Sequence, residues 1–322
     1  MKRIVIAGGN GFLGQTLTRY FNSKSWEVSI LTRQPLSLPF PAKQVKWDGE
    51  SMDDWAKELE GADALINLCG KSVNCRYTEA NREAILQSRL KSTSVLKKAL
   101  QAANDPPPVW LNASSGTIYQ HSLHTPMDES TGTFGEGFSE NVCKAWENEC
   151  FSDDLPRTRR IAMRTSMVLG DGDNSVYPVL ARLARWGLGG RIGAGKQLVS
   201  WIHELDFARA VTFLIEDHQI EGPVNITAPA PAPNSVFMST LRNSLGSHFG
   251  LVHYRPILEA GAFLLRTESE LVLKSRYVLP EILLKRRFVF AFPFLDEALS
   301  DLRDSPSFSL QPCPAKDPIA NA

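Results

Sequence analysis

Seven residues near the N-terminus, Gly8-Gly9-Asn10-Gly11-Phe12-Leu13-Gly14, directly follow the apolar run Ile4-Val5-Ile6-Ala7 and constrain this chain more than any other segment. The pattern predicts a buried strand, a turn built on glycine, and a helix carrying Phe12, Leu13, Leu17, Tyr20 and Phe21 on its apolar face. Each glycine answers a separate geometric need. Gly8 permits the tight turn, Gly11 lets main chain approach a pyrophosphate, and Gly14 allows helix and strand to pack closely. The free N–H groups and the positive end of the helix, at Gly11, Phe12 and Leu13, favour a diphosphate. With a second strand at 28–31, the segment reads as a dinucleotide-binding βαβ unit.

That second strand runs out into Thr32-Arg33. A site for NAD usually carries an Asp or Glu here, holding the ribose 2′-hydroxyl. This chain has no carboxylate at that point, and the guanidinium of Arg33 suits the 2′-phosphate of NADP through charge-assisted hydrogen bonds. The expected cofactor is therefore NADP, held by Gly8, Gly11, Phe12, Leu13 and Gly14 at the diphosphate and by Thr32 and Arg33 at the adenosine phosphate.

Composition removes several classes of function. Lys plus Arg and Asp plus Glu number 35 each, so a nucleic-acid or anionic-membrane partner is not expected; a small molecule is. No apolar stretch approaches the ~18 residues of a membrane span. Five cysteines show no paired spacing, which reads as reduced thiols in a cytoplasmic protein. His121 and His124 have no ligand partners at metal spacing, and no metal site is expected.

From residue 1 to 169, strands at 4–7, 28–31, 44–47, 64–68, 109–113 and 160–164 alternate with helices at 12–22, 52–59, 78–103 and 139–151. This is the signature of an α/β, Rossmann-type, doubly wound parallel sheet. Residues 201–228 are expected to complete it, with a strand at 221–228 and Asp206 as a helix N-cap. Residues 170–200 and 229–304 read as a smaller, mostly helical substrate-side region, entered through Ala228-Pro-Ala-Pro-Ala-Pro233. The Pro-, Ser- and Ala-rich residues 305–322 are expected to be a disordered tail. Two motif matches fail on context. The loop at 190–196 resembles a phosphate loop but ends in Gln197 and follows no strand, and Tyr20 with Lys24 sit at the far end of the first helix.

Further blocks carry a resemblance: Asn67-Leu-Cys-Gly70, Ser114-Ser-Gly-Thr-Ile-Tyr119 and Trp201-Ile-His-Glu-Leu-Asp206. With the glycine turn they resemble the short-chain dehydrogenase/reductase superfamily in its extended, epimerase-like branch. More narrowly, Ser88-Arg89, Trp146-Glu147, Asn225-Ile-Thr-Ala-Pro229, Arg276-Tyr-Val-Leu-Pro280 and Phe294-Leu-Asp-Glu-Ala-Leu299 resemble an atypical subgroup, NADP-binding epimerase-family proteins with a small uncharacterised C-terminal domain. Where that subgroup usually has a glycine before its aromatic Phe-x-Phe segment, this chain has Arg286-Arg287-Phe288.

The resemblance implies that Leu68, Cys69 and Gly70 line the floor beneath the cofactor, with Arg89 and Val168 as further cofactor residues. In the superfamily a Ser, a Tyr and a Lys do the chemistry. Ser115 falls at the Ser position, but Ser139 and Cys143 stand where the Tyr and Lys belong, and neither can do that work. Tyr119 is the substitute candidate for acid/base, paired with Ser115, and His203 a lesser one. Two functions follow: an NADP(H)-dependent oxidoreductase or epimerase with an atypical active site, or a non-catalytic NADP(H)-binding sensor or regulatory module.

Overall fold

A computed structural model describes residues 1–172, 174–253 and 274–304; the expected tail at 305–322 lies outside the described residues. Seven strands form one parallel sheet: β1 (Arg3–Ala7), β2 (Glu27–Thr32), β3 (Lys43–Lys46), β4 (Ala64–Asn67), β5 (Val109–Ser115), β6 (Arg159–Thr165) and β10 (Gly222–Ile226). Short pairs add β7 (Met167–Leu169) to β9 (Trp201–His203) and β8 (Leu198–Val199) to β11 (Ala232–Pro233). The sheet order is β10-β6-β5-β4-β1-β2-β3. Its direction of growth reverses between β1 and β4, and such a reversal opens a crevice at the carboxyl ends of the strands.

The helices are α1 (Phe12–Ser23), α2 (Glu79–Ala102), α3 (Phe138–Phe151), α4 (Val176–Arg185), α5 (Glu204–Glu216), α6 (Asn234–Ser244), α7 (Glu281–Lys285) and α8 (Leu295–Asp304). Alternate residues of each strand serve opposite layers. Ile4, Ile6, Ile30, Leu111 and Ile161 pack with Leu17 and Phe21 of α1 and Phe207 and Val211 of α5. Val5, Ala7, Leu31, Leu65 and Trp110 pack with Val95, Leu96 and Leu100 of α2 and Cys150 of α3. A third cluster joins α4, α6 and α8 around Trp201, Phe237 and Leu299.

Two expectations of local structure are corrected. Residues 52–59 do not form an α-helix: Asp54–Leu59 is a 3-10 segment, with Asp53 accepting from the Asp54 amide. Asp206 is not an N-cap, because α5 begins at Glu204 and His203 caps it, Nδ1 accepting from the Leu205 amide at 3.1 Å. The Asp206 carboxylate, wholly buried, turns outward from the helix and accepts from the amides of Ala291 and Phe292, both at 2.8 Å. Glu129 grips the same region, accepting from the amides of Glu281 (3.1 Å) and Ile282 (3.4 Å) and from that of Asn225 on β10 (2.8 Å).

The departure at Arg286-Arg287 also has a structural reading. Helix α7 ends in a Schellman turn, Phe288 N–H donating to Leu283 O at 2.8 Å and Arg287 N–H to Leu284 O at 2.9 Å. Arg287 holds φ +59°, the left-handed conformation that glycine adopts without cost. Among the described residues, no helix is long and apolar enough to cross a membrane, and no cluster of His, Cys, Asp and Glu could hold a metal ion.

Candidate functional site

The glycine turn connects β1 to α1 at the mouth of the crevice. Gly8 has φ +77° and donates its N–H to Leu31 O at 3.0 Å, tying the turn to β2. A Cβ on Gly8 would lie 3.0 Å from Cys69 Sγ, and one on Gly14 only 2.4 Å from Gly9 Cα. Those two glycines are required by the protein itself. Gly11 is different: a Cβ there would meet nothing nearer than Gly8 O, at 3.8 Å. Gly11 is the N-cap of α1 and, as a glycine, brings no side chain to bond the amides of the first turn. The first helical amide with an acceptor in the chain is that of Gln15, to Gly11 O at 2.9 Å, so those of Phe12 and Leu13 point out of the helix end.

Asn10 braces this turn against β2. Its amide donates to Thr32 Oγ1 and to Gln34 O, both at 2.8 Å, while its own Oδ1 is buried without a partner. Arg33 is exposed and, with Lys46 and the buried Trp47 and Trp55, lines an open cavity of about 560 Å³. The two carboxylates of that wall are already engaged. Asp48 accepts from the Glu50 and Ser51 amides, each at 2.8 Å, and Asp53 from the Asp54 amide at 2.8 Å. The wall thus carries two cations and two carboxylates; the carboxylates are tied to backbone amides, while Arg33 and Lys46 present their charges to the cavity. A diphosphate on the helix end and a phosphate beside Arg33 both fit these residues.

Beyond β4, Asn67 Oδ1 accepts from the Cys69 amide at 3.0 Å and sets the turn through Leu68, Cys69 and Gly70. Burial pushes the Cys69 thiol up to about 12, so it stays protonated. A Cβ on Gly70 would lie 3.0 Å from Cζ of Arg89, so a glycine is what lets this guanidinium reach the turn. Arg89 donates to Ile85 O (2.9 Å) and Lys71 O (3.1 Å) and lies 4.9 Å over the Trp146 ring. Val168 on β7 is buried within the core cluster that Phe12 packs against. The glycines that follow it at 170 and 172 abut the Phe12 ring.

The substitute acid/base candidates are placed differently from the expectation. Tyr119 is 1% exposed; its hydroxyl donates to Asn225 Oδ1 at 2.9 Å and accepts from Arg164 Nη1 at 2.9 Å. Burial raises its pKa, Arg164 and Asn225 only partly offsetting it, so the phenol is a weaker acid facing the interior. It belongs to a buried network in which Arg164 forms a bidentate pair with Glu147 (2.9 and 2.7 Å) and Ser114 donates to Glu147 at 2.6 Å. Burial opposes the charge on Arg164, but the bonds and charge of Glu147 raise its pKa above the ordinary arginine value. Ser115 is half-buried and donates to Thr117 Oγ1 at 3.0 Å. His203 is 2% exposed, occupied as the α5 cap, with Nε2 3.3 Å from Asp301 Oδ2.

At the positions of the missing dyad, Cys143 is buried, its thiol pushed up to about 12 by burial and eased by the charge of Arg89. Ser139 is half-buried, with its Oγ 3.5 Å from the hydroxyl of Tyr77. Tyr77, Lys46, Asn10 and the Glu147–Arg164 pair were not singled out as site residues by sequence. Only Lys46 carried a usable signal, being the residue at the end of β3 next to the Arg33 strand end.

An open parallel sheet with a glycine turn at its switch point defines a Rossmann-type nucleotide-binding architecture, here with a helical C-terminal part. The chain belongs to the NAD dependent epimerase/dehydratase family, whose model matches residues 4–227; residues 255–302 match a domain of unknown function, DUF1731. It is 30% identical over 305 residues to the human "Epimerase family protein SDR39U1", covering 93% of this chain and 99% of that one. It is 31% identical over 303 residues to "Epimerase family protein YfhF" of Bacillus subtilis, covering 93% and 97%. The crystal structure of human SDR39U1 (isoform 2) with NADPH superposes with a TM-score of 0.84 at 30% identity, over 94% of this chain and 99% of that one. A UDP-N-acetylglucosamine 4-epimerase from Bacillus cereus, 16% identical, shares the fold with a TM-score of 0.73 over 97% and 99%.

Proposed function

We propose that this protein binds NADP(H) and acts as an oxidoreductase or epimerase of the extended short-chain dehydrogenase/reductase type, on a small molecule rather than a nucleic acid or membrane. The observation that carries this reading is the contrast among the glycines. The protein's own packing demands Gly8 and Gly14, whereas Gly11 is bare where a diphosphate would meet the helix end. Arg33 and Lys46 in one cavity support the 2′-phosphate, and the NADPH bound to the human relative agrees with it. A bound nicotinamide would supply or accept the hydride. This chain's residues would bind the diphosphate (Gly11, Phe12, Leu13), hold the adenosine phosphate (Thr32, Arg33) and floor the crevice (Leu68, Cys69, Gly70). Four free cysteines among the described residues suit a reducing, cytoplasmic setting.

The test is calorimetric titration with NADPH and NADH. NADPH is expected to bind more tightly, and Arg33→Asp to weaken it by about tenfold or more, the loss of a charge-assisted contact worth ~1.5–3 kcal/mol. Equal affinity for both cofactors in the unmodified protein would overturn the preference. A second reading, a non-catalytic NADP(H) sensor, is favoured by one observation: Ser139 and Cys143 replace the dyad while Tyr119 is turned into the core.

A further inference from the structure

Positions 139 and 143 lie one turn apart on α3, and the groups missing from them are approached from elsewhere in the chain. Tyr77 stands in the loop that leads into α2. Its ring meets that of Phe138 edge-on, centroids 4.9 Å apart at 65°, and its hydroxyl reaches within 3.5 Å of Ser139 Oγ. The phenol thus arrives beside the residue where a tyrosine is absent. Arg89 lies further along α2, stacked 4.9 Å over Trp146, and its charge acts on both the Cys143 thiol and Tyr77. The cation thus arrives beside the residue where a lysine is absent.

The placement of Arg89 is specific. Nη1 serves two backbone carbonyls, Ile85 O and Lys71 O, which fix the guanidinium plane. Nη2 would sit 3.2 Å from a Cβ on Gly70, so the glycine is what lets that donor come close to the turn at the end of β4. An arginine keeps its charge at any working pH, as the dyad's cation must.

Resting on the NADP(H) reading above, we propose that Tyr77 is the acid/base of this site and Arg89 its cation, together replacing the Tyr and Lys that α3 lacks, for a small ketone or aldehyde and the corresponding alcohol. In the reducing direction the carbonyl carbon takes a hydride from bound NADPH, which becomes NADP⁺, and the carbonyl oxygen takes the proton of the Tyr77 hydroxyl. The C=O π bond becomes a C–H and an O–H bond. The phenolate left behind is balanced by Arg89 and regains its proton from water. Oxidation of the alcohol runs the same transfers backwards.

The experiment uses the full chain and three variants, Tyr77→Phe, Arg89→Met and Arg89→Lys, each checked for native circular dichroism. Tyr77→Phe keeps the ring on Phe138, and Arg89→Lys keeps the charge should Arg89→Met fail to fold. Calorimetry compares NADPH with adenosine 2′,5′-bisphosphate, which has no nicotinamide end. Arg89→Met is expected to weaken NADPH about tenfold and leave the bisphosphate unchanged, with partial recovery in Arg89→Lys. NADPH oxidation is followed with a panel of aldehydes, ketones and ortho-quinones. Tyr77→Phe is expected to lower kcat by ~10²–10⁴-fold at unchanged NADPH affinity. Equal weakening of both ligands, kcat undiminished in Tyr77→Phe, or no turnover by the unmodified protein on the whole panel would each overturn the proposal. Failure of the unmodified protein to bind either ligand would instead bring down the NADP(H) reading, and this inference with it.

Discussion

Gly11 and Gly14 are three residues apart in one turn, yet the structure assigns them opposite sensitivities to the same change. In Gly14→Ala the new methyl would stand 2.4 Å from both Cα and O of Gly9, inside any real contact, and the obstacle is backbone that cannot swing aside. The turn must open or α1 must lift from β1, which overpacking of this kind makes cost ~1–3 kcal/mol or more. In Gly11→Ala the methyl would meet only Gly8 O at 3.8 Å, ordinary contact, and Gly11 has φ −77°, which alanine adopts freely. The entropy that alanine removes from the unfolded chain is worth ~0.4–1 kcal/mol, and its poorer fit at an N-cap offsets a similar amount. Urea unfolding without ligand is therefore expected to show Gly11→Ala within ~1 kcal/mol of the unmodified protein and Gly14→Ala clearly below it. Calorimetry should separate the pair the other way for Gly11→Ala: native stability with NADPH binding lost, because the methyl occupies the space for the diphosphate. Retained NADPH affinity in a folded Gly11→Ala protein would refute the argument and move the nucleotide away from this turn.

Two further changes probe the scaffold. Glu147→Leu leaves Arg164, whose side chain is 4% exposed, charged and without its bidentate partner, and is expected to lower the urea-unfolding free energy by ~3–5 kcal/mol; adding Arg164→Met should restore much of it, and a loss under 1 kcal/mol would contradict the network. Arg287→Gly should raise stability by ~1 kcal/mol, because glycine meets the φ of +59° without the Cβ penalty; a decrease would show that the arginine side chain matters more than its backbone.

The β1–turn–α1 unit was legible because every determinant lies within one short stretch of chain: an apolar strand, three glycines and a helix stripe. The alternation to β6 was legible for the same reason. What escaped was set by contacts between distant residues. Asp206 looked like a cap by its neighbours, but its carboxylate answers amides 85 and 86 residues onward. Tyr119 looked available beside Ser115, but Asn225, 106 residues away, accepts the hydrogen bond its hydroxyl donates. Tyr77 gave no local signal at all, since only the packing of its loop over α3 brings it to Ser139, 62 residues later. The departure from glycine at 287 could be read in the sequence, though its conformational reason could not.

The carboxylates of Asp206 and Glu129 hold the C-terminal part through main-chain amides alone, at Ala291 and Phe292 and at Glu281 and Ile282. An amide looks the same whichever side chain follows it, so these anchors recognise the path of the chain and not its lettering. Proline is the residue they refuse, having no N–H to offer. At these four points the hydrogen bonds outlast a change of side chain, whereas a proline at any one of them would cut a tie between the C-terminal part and the rest of the chain.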